Sequence, residues 1–190
     1  MKKFVLGLMI SAGLLGATTV VANADTTGSS TGDVTFTGGT LSMSVDDTNL
    51  AFGSNTISSS DATLATSSTP TVTVSDLRGT SAGWTLTVAQ GQQFNTVLNG
   101  TGSALTNAAL TVAGTESDSA VTNGSTTLTP GTTSTPGAAG TVASAKNGTG
   151  NGASTVTFSD SKLAVPGKTT KLAKGYTTTL TWNLSATPEN

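Results

Sequence analysis

Apolar and polar residues alternate most cleanly over Tyr176-Thr177-Thr178-Thr179-Leu180-Thr181-Trp182-Asn183-Leu184. A strand with a side-chain period of two puts Tyr176, Thr178, Leu180, Trp182 and Leu184 on one face and Thr177, Thr179, Thr181 and Asn183 on the other. The first face can be buried and the second can meet water. The same device occurs earlier, where Trp84-Thr85-Leu86-Thr87-Val88 lines up Trp84, Leu86 and Val88. The pattern predicts that these two strands pair, although ninety-odd residues separate them.

Other runs predict further strands. Asp33–Thr37 and Thr40–Val45 alternate on either side of Gly38-Gly39, which reads as a hairpin. Asn49–Gly53, with Thr56-Ile57, supplies a short third strand, and the Ser/Thr-rich residues 58–69 read as a loop. Strands follow at Thr71–Ser75, Phe94–Leu98, Ala109–Val112 and Thr155–Phe158, with weaker candidates at Thr126–Leu128 and Lys162–Val165. Residues 114–154, rich in Gly, Thr and Pro, read as a loop-rich excursion over the surface, with room for one brief hairpin. No helical period appears. The expected fold is all-β: a single-domain antiparallel β-sandwich with low-complexity surface loops.

Composition adds limits. Lys2 and Lys3 precede an apolar run that ends in Ala22-Asn23-Ala24, so residues 1–24 read as a cleaved secretory signal peptide. Residues 25–32 then form a flexible leader, and residues 33–190 form the domain. Removing Lys2 and Lys3 leaves six basic residues against ten acidic ones, about −4, which argues against nucleic acid as a partner. Cysteine is absent, so an exported domain must be held by packing and hydrogen bonds. No second hydrophobic segment and no LPxTG-like sorting signal is seen. The expectation is therefore neither a transmembrane segment in the mature chain nor sortase attachment.

Two stretches together carry a family resemblance: Asp76-Leu77-Arg78-Gly79-Thr80-Ser81-Ala82-Gly83-Trp84-Thr85-Leu86 and the Tyr176–Leu184 segment. With Val34-Thr35-Phe36-Thr37-Gly38-Gly39-Thr40-Leu41 as the opening, the chain resembles the WxL family of surface-located wall-binding proteins of low-GC Gram-positive bacteria. The resemblance spans essentially the whole mature chain. It implies secretion and non-covalent attachment to the cell wall, with peptidoglycan as the ligand and partner surface proteins alongside. The alternative is a structural or adhesive subunit held by a membrane-anchored partner. Trp84, Leu86, Trp182 and Leu184 are the motif residues it points to.

The residues themselves leave two roles open for each tryptophan. Burial of a Trp in an aromatic-poor chain contributes on the order of 4–6 kcal/mol, whereas an exposed ring face could stack on a wall sugar. Arg78, the sole arginine, stands two residues after Asp76 and suits either an ion pair with it or a stem-peptide carboxylate. Lys162, Lys168, Lys171 and Lys174 form the one local excess of positive charge, either a solvated surface or a contact for wall polyanions. With no His and no Cys the usual general bases, thiol nucleophiles and transition-metal ligands are missing. The Asp residues stand in turn-like contexts, and Asp46-Asp47-Thr48-Asn49 lacks the spacing of a calcium loop. The expectation is a protein that is not an enzyme and carries no cofactor or metal.

Overall fold

A computed structural model describes residues 27–46 and 49–188. The chain divides into two compact units, Met1–Thr35 and Phe36–Asn190. Of the first, only residues 27–35 are described, an exposed stretch without strand; the proposed signal peptide lies outside the described residues. Among its described residues the second holds eleven strands and no helix.

In chain order the strands are β1 (Leu41–Asp46), β2 (Ala62–Ala65), β3 (Thr71–Asp76), β4 (Trp84–Gln90), β5 (Ala109–Ala113) and β6 (Val121–Asn123). They continue with β7 (Ser125–Leu128), β8 (Gly140–Ala145), β9 (Gly152–Thr157), β10 (Lys162–Val165) and β11 (Leu180–Ser185). All pairings are antiparallel. The strands form three sheets, ordered β1-β3-β9, β2-β10-β5-β7 and β11-β4-β8-β6. The expected all-β antiparallel fold is therefore present, drawn into three small sheets around one core.

Alternation explains which side chains make that core. Val72 and Val74 on β3, Trp84, Leu86 and Val88 on β4, Leu110 and Val112 on β5, and Val156 on β9 are all at or below 1% exposed. Threonines fill the intervening positions, where a β-branched side chain suits the pleat and its hydroxyl meets water. Phe158, Leu163 and Val165 close the cluster from the following segment. The predicted pairing of β4 with β11 is observed, with Leu184 opposite Leu86, Trp182 opposite Val88 and Leu180 opposite Gln90. Thr85 Oγ1 laces the two together further by donating to the Thr187 carbonyl at 2.8 Å.

Several segments depart from the sequence expectation. Asp33–Thr37 is not a strand and the Gly38-Gly39 hairpin does not form; Gly39 N–H instead donates to Leu77 O at 2.7 Å, and β1 pairs with β3. Asn49–Gly53 is held by side chains rather than by a ladder, since Ser68 Oγ donates to Asn49 O and accepts from Ala51 N–H. The strand of that region is β2, inside the stretch read as loop. Phe94–Leu98 is also not a strand: only Asn95 bridges, to Ala104 and Thr177, and Asn99 turns the chain at φ 52°.

The largest difference lies in residues 114–154, read as a loop-rich surface excursion with room for one brief hairpin, which carry three strands, β6, β7 and β8. β8 is an inner strand of the third sheet, between β4 and β6. Its Val142, Ala143 and Ala145 are wholly buried and neighbour one another in sequence, so no clean alternation marks it. A register shift opposite Leu86 and Thr87 breaks the period further. Small residues hide such a strand because neither period nor hydrophobic bulk announces it.

Because β11 supplies one of the two neighbours of β4, a chain ending before Tyr176 is expected to lose cooperative folding. Near-UV circular dichroism and calorimetry of that truncation should show no sharp transition; a cooperative melt would remove β11 from the folding unit.

Candidate functional site

The two Trp-x-Leu motifs lie on adjacent strands yet meet different environments. On β4, Trp84 and Leu86 are both 0% exposed. Trp84 Nε1–H donates to Gly150 O at 3.0 Å, which satisfies the one polar atom of a wholly buried indole. Gly150 sits at φ 75°, and a Cβ there would strike both Ala145 Cβ and the indole nitrogen. The β8–β9 connection is therefore laid against the edge of Trp84 by a glycine that neither conformation nor space lets any other residue replace.

The loop before Trp84 is built around Asp76. This carboxylate is 2% exposed at the end of β3. It accepts from Arg78 Nε at 2.8 Å, Nη2 at 2.7 Å and the Arg78 backbone N–H at 3.2 Å. Arg78 Nη2 also donates to Gly83 O at 2.6 Å, so one guanidinium ties the strand end to the residue before Trp84. Gly83, at φ 71°, passes so close to β8 that a Cβ would collide with Ala145 O. The Asp-x-Arg-Gly and Gly-Trp steps of the proximal motif thus form a clasp that fixes where Trp84 enters the core. The arginine hydrogen bond, helped by its charge, holds the Asp76 carboxyl below the ordinary carboxylate range against the opposing effect of burial.

On β11 the environment opens. Trp182 and Leu184 are partly buried, packed against the core from its margin. The Trp182 ring lies 4.7 Å from that of Phe158 at an interplanar angle of 50°. Among the described residues its Nε1–H has no acceptor, in contrast to that of Trp84. Trp182 lines a groove of ≈ 500 Å³ together with Tyr176, Phe94, Leu180, Leu50 and Val45, among others. Tyr176 is held in place there because its hydroxyl accepts the Leu172 backbone N–H at 2.7 Å. Phe94 is braced from behind by Phe52 in an edge-to-face pair with centroids 6.2 Å apart.

Residues 176–179, the first half of the predicted closing strand, do not form a regular ladder. Thr177 exchanges backbone hydrogen bonds with Asn95, and Thr178 Oγ1 donates to Gln92 O at 2.6 Å. This peels the chain off β4 toward the 91–95 segment, and Tyr176 comes to face the same groove as Trp182. Sequence reasoning found those two by their alternation. It had no signal for Phe94, Leu50 or Val45, which reach the groove from segments distant in sequence.

The lysines separate. Lys171 Nζ lies 3.0–3.2 Å from four carbonyl oxygens, those of Ser58, Pro166, Gly167 and Thr169, so its charge is spent organising two loops. Lys162, Lys168 and Lys174 are exposed. Among the described residues the only ion pair is Arg78–Asp76, and no helix is long and apolar enough to cross a membrane.

Compared with known families, residues 17–188 match the family model described as WxL domain surface cell wall-binding. No curated protein and no solved structure matches the chain.

Replacing Arg78 with Ala leaves the Asp76 carboxylate buried without its partner, and about 3–5 kcal/mol of stability should be lost at neutral pH. Since the folded-state pKa of Asp76 is depressed, the stability it contributes is present above its unfolded value of about 3.9 and disappears as pH falls through the folded value. Urea titrations from pH 7 down to pH 2 should therefore show a steeper acid loss in the parent than in Arg78→Ala. Gly150→Ala should cost about 2–3 kcal/mol through the collision at Trp84, whereas Gly148→Ala, with open space around it, should cost about 1–2 kcal/mol from backbone strain alone. Equal losses for the two glycine variants would remove the indole contact from the account.

Proposed function

This chain belongs to the WxL family, whose domain is a surface cell wall-binding module, and from that premise we propose that it holds to the wall non-covalently and without catalysis, through the groove beside Trp182. The ligand is peptidoglycan, and the protein reaches it by secretion through the leader read from residues 1–24. The observation that carries this reading is the difference between the two tryptophans: one indole is sealed and hydrogen-bonded, the other is partly open, with a free N–H, in an aromatic-lined groove.

Such a groove suits an amino sugar. Pyranose C–H faces pack on aromatic rings, and a free indole N–H can meet an acetamide carbonyl. A concave, mostly apolar site with a few placed polar groups is the usual form of a small-ligand pocket. Phe94, Tyr176 and Trp182 are three of only eight aromatic residues in the chain, and two of the remainder, Phe52 and Phe158, stand behind them. The Tyr176 hydroxyl, already an acceptor, keeps its own proton for donation to a ligand oxygen. The absence of His and Cys from the whole chain fits retention better than hydrolysis.

Sedimentation with purified peptidoglycan sacculi tests this directly. Trp182→Ala should weaken retention by roughly 30-fold, about 2 kcal/mol, while keeping a cooperative melt. Lys168→Ala and Lys174→Ala should change it little. Retention of Trp182→Ala at the parent level, or no retention of the folded parent, removes the groove from the function; the second result would favour a membrane-anchored partner as the holdfast.

A further inference from the structure

Asp33–Thr37 has the alternation of a strand, yet residues 27–40 contain none. Val34 is 77% exposed and Phe36 88%. A Phe left in water forgoes roughly 2–3 kcal/mol of burial, a substantial loss in a domain with so few aromatics. Four residues beyond Thr37 begins β1, the edge strand of its sheet, with β3 on one side only. Its Leu41, Met43 and Val45 pack on the core but are only partly buried. The edge carries no Lys, no Pro and no bulge of the kind that protects exposed strands, and its one charge, Asp46, stands at the far end.

An unpaired strand-former and an unpaired edge of the same period thus occur in one chain. A hairpin would join them, but it needs Gly38-Gly39 to turn. Those residues are committed elsewhere. Gly39 N–H donates to Leu77 O at 2.7 Å and Leu77 N–H to Thr40 O at 3.0 Å. Gly38 lies so close to Arg78 that a Cβ would strike its carbonyl oxygen. While the chain runs alongside residues 77–78 the two-residue turn cannot form.

We propose that Asp33–Thr37 is a donor strand that adds antiparallel to β1 of a second copy of this chain, each copy giving its strand to the other about a two-fold axis. Val34 and Phe36 then extend the row of Leu41, Met43 and Val45, and Thr35 extends the row of Ser42 and Ser44. The donor and the edge belong to the same chain, so the exchange is self-complementary, as a two-fold dimer requires. Addition of a strand to an open edge is an established mode of recognition. The arm from Thr27 to Thr37 can reach about 36 Å when extended, against about 20 Å for β1. The proposal does not rest on the groove beside Trp182.

The absence of native cysteine makes the test clean. In the secreted chain, Thr35→Cys combined with Ser44→Cys should give a covalent dimer under mild oxidation, seen on a non-reducing gel, and Thr35→Cys with Ser42→Cys covers the alternative register. Analytical ultracentrifugation of the unsubstituted chain should show a concentration-dependent dimer whose dissociation constant rises at least tenfold in Phe36→Asp. The melting temperature of that variant, measured at a concentration where both proteins are monomeric, should be unchanged, since Phe36 is exposed. A monomer at every concentration, a disulfide within one chain, or a dimer indifferent to Phe36→Asp overturns the proposal.

Discussion

The pairing of β4 with β11 is the contact on which the rest of the structure depends. It joins residues 84–90 to residues 180–185 and sets Leu184 against Leu86 and Trp182 against Val88. β8 then takes the other edge of β4, so the strand that carries Trp84 is enclosed by segments made long after it. Loop-closure entropy must be met before either pairing contributes, which favours slow folding with most of the chain already synthesised. With no disulfide to shorten that search, the local devices around β4 carry unusual weight.

The Asp76–Arg78 clasp is the foremost of these. A bidentate arginine on a buried carboxylate is an uncertain source of net stability, because desolvation opposes the attraction. Its value here is geometric. The same guanidinium bonds Gly83 O, so the turn from β3 into β4 has one arrangement and Trp84 enters the core at one place. The Trp84–Gly150 bond then fixes the β8–β9 connection against that point. Four residues of the proximal motif, Asp76, Arg78, Gly83 and Trp84, and one glycine from a low-complexity stretch act as a unit.

The two motifs meet different surroundings. In the proximal one the tryptophan and leucine are fully buried and the arginine is bonded to Asp76 and to Gly83 O. The distal one is partly open because β11 is an edge strand and because residues 176–179 leave β4 for the 91–95 segment. A groove opens at that departure. Val45 of β1 and Leu180 and Trp182 of β11 line it together with Phe94 and Tyr176.

The sequence by itself determined the fold class, the family and most of the strands, because period-two alternation of Val, Leu and Trp with Thr is a local property of strands buried on one face. It also determined that β4 and β11 belong together, since the same Trp-x-Leu pattern marks both. Alternation failed where its physical basis was missing. β8, with adjacent buried small residues and a register shift, gave no period to read, and Asp33–Thr37 gave a period with no partner strand among the described residues. Which tryptophan is sealed and which faces the groove was decided only by the tertiary structure: identical local patterns acquire different exposure according to whether their strand lies inside a sheet or at its edge.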